Sequence, residues 1–113
     1  MMNITVFDLV DSDGNTVGAD TVGLLLFNGG TVCNDDKFDD YSCAAACREM
    51  GYENCKSWFS GDHWSLQSSL QITLAKFQCR SYNWHYCLYS TLNNCDHGDD
   101  VFLSCSDSIL SGV

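Results

Sequence analysis

Eight cysteines in a chain of 113 residues constrain the fold more than any other feature. They lie between Cys33 and Cys105 at wide, uneven spacings. An even number spread this way in a short chain reads as four disulfides, which form and persist in oxidising compartments. Zinc is the competing use of such cysteines. Structural zinc sites commonly use C-x2-C pairs, and the sequence has none. Cys43, Cys47 and Cys55 come closest and lack a fourth ligand. Spacing alone leaves on the order of a hundred ways to pair eight cysteines.

The length allows one domain with a modest core, and no linker, proline or low-complexity stretch divides it, so residues 1–113 read as a single unit. No segment approaches the roughly 20 apolar residues of a membrane helix. The first residues lack a basic stretch followed by an apolar run, so a secreted form is expected to have lost its signal already. Fifteen acidic residues against five basic ones give a formal charge of -10. Such a surface repels phosphate backbones, which argues against nucleic acid, and it suits metal ions or basic protein patches.

Residues 3–10 are rich in β-branched and apolar types and read as a strand. Asp13-Gly14-Asn15 supplies turn chemistry. A second strand is expected over residues 22–27, and Asn28-Gly29-Gly30 turns it into a third over 31–33. A helix is expected over residues 41–50. Asp39 or Asp40 can cap its start, Ala44-Ala45-Ala46 favour its interior, and Gly51 stops it. Cys43 and Cys47 are four apart and share a helical face. Two further strands are expected over 70–79 and 101–105. Aromatic residues stand before the first of these, at Trp58, Phe59 and Trp64, and between the two, at Tyr82, Trp84, Tyr86 and Tyr89.

Gly30-Thr31-Val32-Cys33, followed by acidic residues, an aromatic at Phe38, and an alanine-rich helix ending Cys47-Arg48-Glu49-Met50-Gly51-Tyr52, resembles the scavenger receptor cysteine-rich domain. So does the end, Asn94-Cys95-Asp96-His97-Gly98-Asp99-Asp100 and then Cys105. The resemblance covers nearly the whole chain. It implies an α+β fold: a small disulfide-rich domain whose curved antiparallel β-sheet cradles one main α-helix. Carried over position by position, it pairs Cys33 with Cys95, Cys47 with Cys105 and Cys79 with Cys87. The pattern is similar to group A of the family, and Cys43 and Cys55 remain as an extra bridge. The chain departs from the family in an inserted residue between Cys33 and Phe38 and in a short Cys79–Cys87 loop.

Some members of the family bind calcium through two aspartates after the G-T-V-C cysteine and an acidic residue near the closing cysteine. Here those positions are Asp35, Asp36 and Asp99. Carboxylate oxygens suit a hard cation, and three neighbouring carboxylates repel unless one neutralises them. A second family cation site keeps only Asn94, with Ser42 and Ala75-Lys76 where acids would stand, so it is expected to be lost. Asp11-Ser12-Asp13-Gly14-Asn15 superficially resembles an EF-hand loop. Thr16 stands at the sixth loop position and Val22 at the twelfth, so a hairpin turn is the expected structure. His97 occupies the family's histidine position, where a structural hydrogen bond is expected.

No G-x-S-x-G elbow or H-x-x-x-H pair exists, and an even cysteine count leaves no free nucleophile, so no enzymatic activity is expected. Tyr82, Trp84 and Tyr86 lie inside a short disulfide loop that cannot bury them all, and exposed aromatics on a rigid loop make binding anchors. The resemblance implies a secreted or extracellular ligand-recognition module, a calcium-assisted monomer whose partner is an extracellular protein, glycan or small molecule. With only five basic residues, direct binding of polyanions is disfavoured. Alternatives are a small-molecule or toxin-binding protein using the aromatic loop, and a structural extracellular component. Asn3-Ile4-Thr5 is a glycosylation sequon.

Overall fold

A computed structural model describes residues 6–91 and 94–107. The sequon at Asn3 and the start of the first expected strand lie outside these residues.

The hydrophobic runs become strands: β1 (Phe7–Val10), β2 (Gly23–Phe27), β3 (Gly30–Val32), β5 (Ile72–Gln78) and β7 (Val101–Ser106). Asn28 and Gly29, both at positive φ (52° and 86°), make the two-residue turn from β2 to β3, a turn class that asparagine-glycine favours. Gly30 is required for a different reason. A Cβ there would collide with the Thr73 side chain and lie 2.5 Å from the Gln71 carbonyl oxygen. The Asp11–Asn15 segment is a hairpin turn. The Asp11 carboxylate accepts from the Asp13 and Asn15 N–H groups, and Val10 and Thr16 close the pairing.

The single α-helix among the described residues, α1 (Asp40–Glu49), begins at Asp39. The Asp39 carboxylate accepts from Ser42 N–H at 2.9 Å, and the Ser42 hydroxyl accepts from Asp39 N–H, a reciprocal cap. Ser42 is buried, and its hydroxyl also donates to the Phe77 carbonyl at 2.9 Å, pinning the helix start to β5. At the other end Gly51 has φ 98°. Its N–H donates to Arg48 C=O, and Tyr52 N–H donates to Cys47 C=O, the paired bonds of a Schellman stop. Ala44, Ala45 and Ala46 are buried, and their small side chains let α1 sit close to the sheet.

Two strands were not apparent in the sequence: β4 (Asn54–Ser60) and the short β6 (Leu88–Ser90). β4 is an edge strand with both faces partly exposed, and a register shift between Cys55 and Ser57 breaks its alternation. The seven strands form one curled sheet in the order β4-β7-β2-β3-β5-β6, with β1 also paired to β2. The expected antiparallel arrangement holds at every pair but one: β3 and β5 run parallel. The long connection through α1 and β4 makes that direction possible.

The main core lies between α1 and the sheet, around Phe7, Leu9, Leu25, Phe27, Leu74, Phe77 and Leu103. A smaller cluster of Val10, Leu24 and Phe102 sits under Trp64, Leu66 and Leu70. Four disulfides cross-link these layers: Cys33–Cys95, Cys43–Cys55, Cys47–Cys105 and Cys79–Cys87. All four are the pairs expected from the sequence, including the extra one.

Candidate functional site

The acidic residues singled out in the sequence lie on two adjoining turns. One leaves β3 at Cys33; the other precedes β7. The Cys33–Cys95 disulfide joins them, Asn34 N–H donates to Asp99 C=O at 2.7 Å, and Cys33 pairs with Asp100 as an isolated bridge. Asp35 is half-buried, and one of its carboxylate oxygens accepts from Lys76 N–H at 3.0 Å. Asp36 and Asp99 are exposed, and neither carboxylate has a protein partner among the described residues.

The three carboxylates share one end of the molecule without converging. Among the described residues, the only three potential ligand atoms within 4.8 Å of one another belong to Asp35, Cys33 and Cys95, and the two sulfurs are already bonded to each other. The donor set nevertheless fits a hard cation: carboxylate oxygens, exposed at Asp36 and Asp99 and half-buried at Asp35, with no ion pair to a basic side chain among the described residues. Ser42, standing where the family's second cation site has an acid, is committed to the helix cap and to Phe77.

Beneath the acidic turns lies a buried polar network that sequence reasoning missed. Asp100 is fully buried; its Oδ2 accepts from Gln67 Nε2 at 2.8 Å and lies 2.7 Å from His97 Nδ1. Burial pushes the Asp100 carboxyl above the ordinary carboxylate range, and the hydrogen bonds from Gln67 and His97 oppose that shift. Gln67, also fully buried, accepts from His63 N–H and Trp64 N–H through Oε1, both at 2.8 Å, and donates to Gly61 C=O. One amide thus ties the loop after β4 to the turn that carries Asp99. No sequence signal marks Gln67, because an isolated glutamine in a polar stretch has no periodicity. His97 makes the structural contact expected of it.

The aromatic loop is closed by Cys79–Cys87, and the Asn83 carboxamide caps a short 3-10 turn at Trp84–Tyr86. Its three singled-out residues divide. Tyr82 and Tyr86 are 46% and 72% exposed, whereas the half-buried Trp84 packs edge-on against Phe7 and Phe27 in the main core. Tyr82 carries the Arg48 guanidinium 4.9 Å above its ring and stands 5.4 Å from Tyr41. With Tyr41 and Asp40 of α1 and Trp58 of β4, Tyr82 lines a groove of about 650 Å³. Tyr41 and Asp40 were not recognised as site residues in the sequence, since both read there as part of a helix start.

Comparison with known proteins agrees with this architecture. The family model described as "Scavenger receptor cysteine-rich domain" matches residues 13–106. The chain is similar to lysyl oxidase homolog 2 of Xenopus laevis, 31% identical over 87 residues, covering 74% of this chain and 11% of that protein. It is similar to the Homo sapiens protein of that name, 31% identical over 94 residues with the same coverage. The match to Gallus gallus is 31% over 101 residues, covering 78% of this chain and 12% of that protein. The chain thus spans about a ninth of the length of these relatives. Among solved structures, a crystal structure of the dimeric form of the SRCR domain of mouse MARCO superposes with a TM-score of 0.59 at 25% identity. It covers 81% of this chain and 93% of that one. SRCR domains are extracellular, non-catalytic ligand-binding modules. The chain belongs to the scavenger receptor cysteine-rich domain family.

Proposed function

We propose that this domain is a secreted, non-catalytic recognition module in which a calcium ion held by Asp35, Asp36 and Asp99 helps bind an extracellular protein or glycan. The observation that supports this most is the pair of exposed, unneutralised carboxylates at Asp36 and Asp99, on turns tied by the Cys33–Cys95 disulfide. The buried Gln67–Asp100–His97 network beneath them limits how far the second turn can move. A bound cation draws the three side chains together and leaves coordination positions for a ligand's own oxygens, as extracellular calcium modules do with affinities of about 0.1–1 mM. With a formal charge of -10 disfavouring direct contact, such an ion gives the domain a means of meeting an acidic ligand.

Calorimetric titration with calcium chloride tests the reading. Heat is expected with the native protein and none with the Asp36→Ala, Asp99→Ala double variant. Absence of heat with the native protein removes calcium from the function.

A second reading is favoured by the exposure of Tyr82 and Tyr86 on a disulfide-closed loop: this surface takes an apolar small molecule. Trp84, packed behind it, is its natural reporter. A ligand that quenches tryptophan fluorescence in the native protein, but not after Tyr86→Ala, supports it.

A further inference from the structure

We propose that the groove between α1 and β4 receives a basic side chain of a protein partner, arginine above all. Its volume of about 650 Å³ falls within the roughly 300–1,000 Å³ of clefts that take small ligands, enough for one side chain and part of its flanking backbone. The proposal goes beyond the calcium reading and does not depend on it. The two sites share no residue.

Three features set the chemistry. The first is a fixed carboxylate. Asp40 stands in the first turn of α1, and its Oδ1 accepts from the indole N–H of Trp58 at 2.8 Å. Its second oxygen has no protein partner among the described residues. The second feature is aromatic. Tyr41 and Tyr82 are 47% and 46% exposed with ring centroids 5.4 Å apart, so two aromatic rings stay partly in water on the groove that Asp40 also lines. The protein's own Arg48 already lies over the Tyr82 ring at 4.9 Å, which shows the ring accepting a guanidinium. Arg48 and Tyr82 also line the adjoining groove, so this ring forms a wall common to both.

The third feature is charge. Among the described residues, Lys56 is the one cation lining the α1–β4 groove, and Asp20 holds its ammonium at 3.2 Å. With a formal charge of -10 on the whole chain, a positively charged visitor is attracted from a distance and a negatively charged one repelled. A planar guanidinium can stack on tyrosine while hydrogen bonding to a carboxylate edge; an ammonium gains less from the ring. The spacing of the two walls is set by the Cys43–Cys55 disulfide, which joins α1 to β4 and contributes Cys55 to the groove lining.

The test is an NMR titration of the full chain with a tetra-arginine peptide, in EDTA, following the Trp58 indole N–H resonance. A tetra-citrulline peptide serves as the uncharged counterpart. Saturable movement of that resonance with arginine and none with citrulline is expected. Asp40→Asn should weaken binding about tenfold and Tyr41→Ala about three- to fivefold, whereas Asp13→Asn, in the turn outside the groove, should change it less than twofold. Equal weakening by Asp13→Asn and Asp40→Asn means that the peptide senses only net charge, and overturns the proposal. So does equal binding of the citrulline peptide, or saturation that leaves the Trp58 indole unmoved. Because EDTA is present, failure of the calcium reading leaves this outcome untouched, and the reverse holds.

Discussion

Replacing Cys43 by alanine and Cys55 by serine isolates the contribution of the bridge between α1 and β4. The two residues are 12 apart in sequence, and closing a loop of that size restricts the unfolded chain by about 3 kcal/mol in the entropic description. Cys43 is fully buried, so trimming it to alanine adds up to about 1 kcal/mol for the lost packing. The expected loss is therefore about 3–4 kcal/mol. At about 4 °C per kcal/mol for a domain of this size, the melting temperature falls by about 12–16 °C. The helix keeps its other two anchors, the Ser42 bond to Phe77 and the Cys47–Cys105 bridge, so the variant stays folded. The bridge from Cys47 to Cys105 spans 58 residues and by the same reasoning carries about 4 kcal/mol before packing is counted. Calorimetry on oxidised native protein and on both double variants measures the series, with near-ultraviolet circular dichroism to confirm that tertiary packing survives. A fall below about 4 °C for the Cys43, Cys55 pair would refute the loop argument. So would a loss exceeding that of the Cys47, Cys105 pair.

Other outcomes follow from the polar network and from the isolated domain. Gln67→Ala leaves the His63 and Trp64 N–H groups without their acceptor and leaves the buried Asp100 carboxylate with His97 alone; a loss of about 2–4 kcal/mol is expected in urea denaturation. Asp100 has a carboxyl raised by burial, so the folded state holds its proton to higher pH than the unfolded state does. Its contribution to stability therefore falls as pH rises from the unfolded carboxyl value through the raised folded one, and is level above it. Comparing native and Asp100→Asn stabilities in EDTA across that range should show the native protein losing ground with rising pH; a constant difference refutes it. Light scattering on the purified domain should give the mass of one chain, and a dimer would overturn the expectation of a monomer.

Much of the fold was legible because its determinants are local. Asp39 or Asp40 at one end and Gly51 at the other marked the helix, with the structure choosing Asp39 as the cap, and Asn28-Gly29 marked a hairpin, each through a backbone preference that one or two residues dictate. The cysteine pairs became readable only through family resemblance, since spacing alone allows too many connectivities. β4 was missed because an edge strand with a register shift loses the alternation that reveals a strand. The parallel pairing of β3 with β5 was missed because strand direction depends on how intervening segments pack. For the candidate site, Asp35, Asp36 and Asp99 could be named, and the structure places them on neighbouring turns without bringing their oxygens together. Trp84 could be named too, but its burial against Phe7 and Phe27 depends on contacts across some 60–80 residues of sequence. The Gln67 network and the α1–β4 groove depend on tertiary meetings that no short motif encodes.

The order in which the bridges close has a consequence for biosynthesis. A chain emerging into an oxidising compartment presents Cys33, Cys43, Cys47 and Cys55 first, and of these only Cys43 and Cys55 are native partners. Cys33 must wait for Cys95 and Cys47 for Cys105, and β7, which carries Cys105, is also the strand that β2 and β4 flank. Two early thiols therefore stand idle while the next 62 and 58 residues are made, free to pair wrongly with each other. Prompt closure of Cys43–Cys55 removes two of the four thiols from that competition and leaves one wrong early pair, Cys33 with Cys47, for thiol exchange to correct. The bridge that shapes the groove thereby also narrows the routes by which the nascent domain can misfold.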